Sequence, residues 1–155
     1  MTKNKQTSTD PVLACNRKAR HDYEILEKLE AGIKLAGTEV KSCRARNVSL
    51  GEAYIDIEKG QMYLVNAHIA VYREGNIFNH NPKQKRRLLV HKKEIRKFSA
   101  AIAEKGMTVI PLSMYRKKAL IKLEIALCRG KNHADRRETL KKRQDEMDMR
   151  RMMSR

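Results

Sequence analysis

The chain has 155 residues, enough for one domain with a modest core, and 41% of them are hydrophobic, slightly under the roughly 45–50% usual for a globular protein. Its 35 Lys and Arg against 18 Asp and Glu leave a formal net charge of +17, a self-repelling excess that points to a polyanionic partner. Those figures weigh against membrane spans, since no apolar run approaches the roughly 18 residues such a helix needs.

Nucleic acid and an anionic membrane surface both meet the charge requirement, and the absence of a lipidation signal makes membrane the weaker reading. The opening MTKNKQTSTD lacks an apolar h-region, so no secretory signal is expected. Cys15, Cys43 and Cys128 are odd in number and widely spaced, which argues against a disulfide framework and for a reducing, cytoplasmic compartment.

Residues 1–12 read as a disordered N-terminus, because 1–10 hold no large apolar residue apart from the initiator. The fold is expected from Leu13. Between residues 23 and 35 six of the seven odd positions are apolar against one of the six even ones, which is strand periodicity. Ile25, Leu26, Leu29 and Ile33 also fit a helical repeat, but Gly32 inside the run favours the strand. Gly37-Thr38-Glu39 then reads as a turn into a short helix, with Thr38 as N-cap, Val40 and Cys43 facing inward, and Lys41, Arg44 and Arg46 outward.

Residues 54–57 and 62–65 flank Glu58-Lys59-Gly60-Gln61, a hairpin in which Gly60 supplies the positive φ that a tight turn wants. An irregular strand is expected to continue through Ile69 and Tyr72, and residues 75–87 read as loop. Lys83, Lys85, Arg86, Arg87, Lys92, Lys93, Arg96 and Lys97 then fall within fifteen residues that hold one acid, Glu94. The second half of that cluster leads into a helix with Ile95, Phe98 and Ile102 as its buried stripe and Gly106 at its end. Residues 107–115 and 119–128 form another hairpin across Arg116-Lys117-Lys118, with Ile121, Leu123, Ile125 and Leu127 inward and Lys122 and Glu124 outward. The fold class is therefore mainly β with short helices: an OB-like antiparallel β-barrel over residues 13–129, followed by a flexible basic C-terminal tail. Periodicity gives the strands and leaves their order open.

The tail, residues 130–155, favours helix by composition, and Glu138 with Lys142 and Glu146 with Arg150 are acid-before-base pairs four residues apart. Between Lys131 and Glu146, however, Leu140 is the only large apolar residue, so there is no face to bury. A lone helix of this length is marginal in water. The tail is expected to be disordered alone and helical where a polyanion neutralises its nine cations, which outnumber five acids.

Catalysis finds little footing. The five histidines and three cysteines show no C-x-x-C, H-x-x-x-H or H-E-x-x-H spacing, and there is no Walker-type phosphate loop, so neither a metal nor a cofactor is expected. Asp56 and Glu58 could serve as paired nuclease carboxylates, but on an exposed strand face they more commonly are simply solvated. A non-catalytic binding protein is the expectation, with a basic ribosomal or ribosome-assembly protein and an RNA-cleaving enzyme as rivals.

Several blocks resemble a known family: NRKARHDYEI from Asn16, EAGIKLAGTEVKSCRA from Glu30, RRLLVHKKEI from Arg86, GMTVIPLSMY from Gly106, KLEIALCRGK from Lys122 and DRRETLKKR from Asp135. They are similar to the tmRNA-binding small protein B, or SsrA-binding protein, family over all but about the first dozen residues. The resemblance implies an OB-like barrel that binds the tRNA-like domain of tmRNA and escorts it, with elongation factor Tu, to ribosomes stalled on truncated messages. Glu30, Leu89 and Lys122 match positions the family uses for tmRNA, and Asn16, Arg17, Lys18, Arg20 and Arg44 match its positively charged RNA face. The tail resembles a segment that enters the empty mRNA channel of the small ribosomal subunit near the decoding centre. There Lys131, Asp135, Arg136, Arg137, Lys141 and Arg143 are the expected ribosome-contacting residues, and Met152 and Met153 an apolar pair for packing in the channel. Ala134 stands where the family usually has an aromatic or His, Arg116 stands where an aromatic usually follows Tyr115, and the tail lacks a Trp found in some relatives.

Overall fold

Two-residue alternation builds most of the molecule. The computed structural model describes residues 11–130 and 133–154; of the disorder expected of residues 1–12, positions 1–10 lie outside them, as does the site residue Lys131, while Val12 instead opens the first strand. The long strand β2 (Tyr23–Ile33) keeps Leu29 and Ile33 half-buried and Ala31 fully buried, while Glu24, Leu26, Lys28 and Glu30 face solvent. This is the strand reading of 23–35, and the helical alternative is not realised.

Among the described residues, nine strands and four α-helices follow in order. β1 (Val12–Cys15), α1 (Arg17–Asp22), β2, α2 (Gly37–Arg44) and β3 (Val48–Ser49) are followed by the hairpin β4 (Tyr54–Glu58) and β5 (Gln61–Val65). Next come β6 (His68–Ile69), a 3-10 turn at Arg73–Phe78, β7 (Arg86–Leu89), α3 (Lys92–Lys105), β8 (Thr108–Lys117), β9 (Leu120–Gly130) and α4 (His133–Met153). β8 pairs with both β4 and β9, and the remaining pairings run β4-β5-β7-β2-β9, so six antiparallel strands close a ring, with β1 added to the side of β8. A closed ring removes the exposed edges that an open sheet of this size would present. This is the OB-like antiparallel barrel.

Its interior is filled by Ile55, Met62, Leu64, Val109, Met114, Leu123 and Ile125, capped from one side by Ile95 and Phe98 of α3. Truncating one of the fully buried leucines here would cost about 2–5 kcal/mol. Gly106 takes φ +60 and ends α3, and Lys59 and Gly60, at φ +50 and +71, turn the β4–β5 hairpin, both as the turn chemistry requires.

Four local features depart from the sequence reading, the first being that the strand expected through Ile69 and Tyr72 stops at Ile69, with Tyr72 at the N-cap of the 3-10 turn. Helix α1 was not foreseen, and it covers a smaller apolar cluster of Ala19, Ile110, Leu112, Ala126 and Cys128 on the outer side of β8 and β9. The N-cap of α2 is Ala36 rather than Thr38: the Glu39 carboxylate accepts from the Ala36 N–H at 3.2 Å, and the Thr38 hydroxyl instead lies 2.9 Å from His80 Nδ1. Residues 75–87 are not all loop, since Arg86 and Leu88 point inward and Arg87 and Leu89 outward on β7. The alternation is intact there, but its first inward position holds an arginine.

That arginine is almost inaccessible. Arg86 and Glu39 keep 1% and 2% of their side-chain surface, and Arg86 Nε donates to Glu39 Oε2. The guanidinium also donates to the carbonyls of Ala67 and Pro82, both at 3.0 Å, and Gln84 Nε2 donates to the other Glu39 oxygen at 2.7 Å. Burying a charge is tolerable only when it is paired and its remaining hydrogen-bonding capacity is filled, as here. The network ties α2, the strand β7 and the connection between β6 and β7 into one unit.

Candidate nucleic-acid interface

Glu30, Leu89 and Lys122 lie 92 positions apart in sequence from first to last, yet all three line one open groove of about 530 Å³. Strand register brings them there. Gly32 of β2 is paired with Leu89 of β7 on one side and with Lys122 of β9 on the other, and Glu30 is two residues back on the same strand. A Cβ at Gly32 would stand 3.1 Å from Leu89 Cβ, so the missing side chain is what lets β7 approach with Leu89 in place. Leu89 is 57% exposed and is therefore not a core leucine. An apolar side chain held open to solvent beside cations suits a base or sugar better than it suits the barrel interior.

The groove has further walls that the sequence reading did not assign: Gln61 from the β4–β5 hairpin, Arg87 from β7, and His91 and Lys92 at the start of α3. Recognising β7 as a strand would have found Arg87, because it shares the outward face with Leu89.

Glu30 is bonded within the barrel. Its carboxylate accepts from the Tyr115 hydroxyl and from Lys117 Nζ at 3.2 Å, both on β8. The Tyr115 bond, aided by the Lys117 and Lys122 ammonium groups and opposed by partial burial, holds the Glu30 carboxyl below its ordinary range. Directly opposite Glu30 on β9 is Glu124, a like-charge pairing, and Lys28 relieves it by approaching Glu124 to 3.4 Å.

The other expected RNA contacts are spread wider. Arg17, Lys18 and Arg20 are exposed on α1, and Lys18 comes within 3.9 Å of Glu52. Asn16 is different: it is 5% exposed, its Oδ1 accepts from the Ala19 N–H at 3.2 Å as the helix cap, and its Nδ2 donates to the Pro111 carbonyl at 3.1 Å. Both ends of that amide are occupied by protein, so Asn16 holds α1 on β8 and presents its neighbours rather than a contact of its own. Arg44 is exposed on α2, which packs on β6 and not on the groove.

Asp56 and Glu58, the candidate nuclease pair, both face Lys85, at 3.6 and 2.6 Å, and the Lys85 ammonium depresses the Glu58 carboxyl. Lys85 also sits 4.5 Å from the centre of the Tyr63 ring. In the tail, Arg137, Lys141, Arg143, Met152 and Met153 are exposed, the two methionines at 80% and 88%. Asp135 and Arg136 lie on the backbone of α4, with side chains outside the described residues. No helix among the described residues is long and apolar enough to cross a membrane.

Comparison with known proteins fits this arrangement. The "SsrA-binding protein" of Ligilactobacillus salivarius (strain UCC118) is 47% identical over 149 residues, covering 96% of each chain. That of Lactobacillus delbrueckii subsp. bulgaricus is 51% identical over 148 residues, covering 95% of this chain and 97% of its own. A solved chain described as "tmRNA-SmpB: a journey to the center of the bacterial ribosome" superposes with a TM-score of 0.64 at 46% identity, over 77% of this chain and 84% of that one. The family description "SmpB protein" matches residues 13–155, and the chain accordingly belongs to the SmpB family.

Proposed function

We propose that this protein is an RNA-binding factor of trans-translation, which binds the tRNA-like domain of tmRNA through the barrel and brings it to stalled ribosomes. The observation that carries the reading is the convergence of Glu30, Leu89 and Lys122 on one groove, with Arg87, His91 and Lys92 beside them. Lys122 and Arg87 meet phosphates, Leu89 packs against a base or sugar, and the basic side of α1 extends the contact. Relatives that share 47–51% identity carry the name SsrA-binding protein, and a related solved chain is described with tmRNA and the ribosome.

The tail has a separate task in this proposal. The helix α4, all of whose described side chains are exposed, enters the vacant mRNA channel of the small subunit, near the decoding centre, where Arg136, Arg137, Lys141 and Arg143 meet ribosomal RNA and Met152 and Met153 pack. A message in the channel leaves the tail no room to enter, so discrimination is the loss of those contacts. Elongation factor Tu joins through the tmRNA complex, and the site of action is the cytoplasm. The protein acts by binding and holds no catalytic role.

Sequencing the RNA that copurifies with the protein tests the first part: tmRNA is the expected dominant species, and ribosomal RNA in fixed proportion to all ribosomes would favour a structural ribosomal protein instead. For the second part, a chain ending at Gly130 is expected to keep tmRNA affinity and lose peptide tagging. Equal loss of both would refute the division of labour.

A further inference from the structure

Glu30 is an acid on a face built for a polyanion, set opposite another acid, and such a placement calls for a reason. Its hydrogen bonds supply one. The carboxylate reaches across β9 to the end of β8, where it receives the Tyr115 hydroxyl and Lys117 Nζ. Tyr115 is the register partner of Lys122, so groove and hairpin meet along a single row of residues: Leu89, Gly32, Lys122, Tyr115. Beyond that row the hairpin ends in Arg116, Lys117, Lys118 and Leu120, all exposed, with Lys118 at φ +56 making the turn. Tyr115 is half-buried, which fixes the ring while leaving part of it accessible.

Building on the proposed tmRNA-binding role, we infer that the RNA surface continues from the groove onto the β8–β9 hairpin, where the Tyr115 ring stacks on a base or sugar, Lys117 meets a phosphate, and Glu30 is the positioning residue that holds both. The chemistry fits each part. An aromatic ring of restricted rotation is a stacking platform that any base can use. A lysine held by one carboxylate, at 3.2 and 3.5 Å from its two oxygens, still has donor capacity for a phosphate, since an ammonium carries three hydrogens. Glu30 itself, an acceptor only, contributes by geometry: removing it withdraws one restraint from Tyr115 and from Lys117, and that part of their ordering must then be supplied on binding.

The test uses the full-length protein, transcribed tmRNA and equilibrium binding across a salt series. Tyr115→Ala is expected to weaken binding roughly tenfold or more, and Tyr115→Phe, which keeps the ring, much less. Lys117→Met should flatten the dependence of log K on log salt by about 0.7–0.9. Because Glu30 acts through its partners, Glu30→Gln combined with Lys117→Met should lose less than the product of the two single losses. Should Tyr115→Ala fail to fold, the Lys117→Met slope and the Glu30 cycle still decide the matter. Binding by Tyr115→Ala within twofold of the parent, an unchanged salt slope for Lys117→Met, or strictly multiplicative losses in the cycle would each overturn the inference while leaving tmRNA binding intact. Failure of the unmodified chain to bind tmRNA would instead overturn the underlying role, and this extension with it.

Discussion

Removing the Glu39 carboxylate is the most severe single change the structure allows outside the apolar core. Glu39→Ala leaves the Arg86 guanidinium, at 1% side-chain exposure, without its counter-ion in a site that water does not enter freely. Breaking one side of a buried pair costs about 3–5 kcal/mol, because the surviving charge keeps its desolvation penalty. For a chain of this size that is a fall of roughly 6–20 °C in melting temperature. Arg86→Met should cost a similar amount, since it strands the carboxylate and the carbonyls of Ala67 and Pro82 as well. The double variant Glu39→Met with Arg86→Met carries no stranded charge and should be more stable than the Glu39 single variant. Urea unfolding followed by tyrosine fluorescence measures all three. If both single variants unfold within about 1 kcal/mol of the parent, the pair is not the buried, obligatory contact described above.

Three further outcomes are expected. Gly32→Ala places a Cβ 3.1 Å from Leu89 Cβ, and the resulting displacement of Leu89 should lower tmRNA affinity roughly tenfold, measured by filter binding, with a far smaller effect on melting temperature. Thiol labelling of the native protein at neutral pH should modify exposed Cys15 alone; burial pushes Cys43 up to about 12 and Cys128 up to about 11, so both react only after unfolding. Those two raised thiols also mean that the stability they contribute is present below the ordinary thiol range and is lost as pH rises through it towards the folded values, which alkaline melting curves will show. The Glu30 carboxyl, held low first by Tyr115, should titrate below an ordinary glutamate by NMR. Its small contribution to stability is present above that ordinary value and lost as pH falls through the depressed one, and Tyr115→Phe should move the midpoint upward.

What the sequence disclosed and what it concealed have a common physical cause. β2, the β4–β5 hairpin, α3 with Gly106 and the β8–β9 hairpin were legible because each is specified by neighbours in the chain: alternation, a turn residue with positive φ, a helical stripe. The ring closure was not, because the β4–β8 and β2–β7 contacts join segments about fifty residues apart, and no local pattern encodes them. Arg86 was hidden for the same reason. In sequence it is one of eight cations in a basic cluster; its inward direction follows only once Glu39, 47 positions away, is there to receive it. Asn16 likewise reads as part of a basic motif, and its real work is visible only where the Pro111 carbonyl meets it. The three groove residues came from the family resemblance, and strand register supplies the reason they belong together.

The distribution of charge follows from this architecture. Several acids on the surface of the barrel are tethered to cations elsewhere in the fold: Glu24 to Arg129, Glu27 to Lys97, Glu30 to Lys117, Glu58 to Lys85. Exposed pairs of that kind add little stability, so their value is positional. They fix lysine and arginine side chains that would otherwise have to be ordered by the RNA itself, and a fixed cation retains more of its phosphate contact as affinity. α4 is built on the opposite plan. All of its described side chains are exposed. A rigid, pre-ordered face suits a ligand that is always carried, whereas an exposed basic helix suits the proposed sensing of a vacant channel, because a lone helix of this length is marginal in water and a polyanionic partner would add to its order.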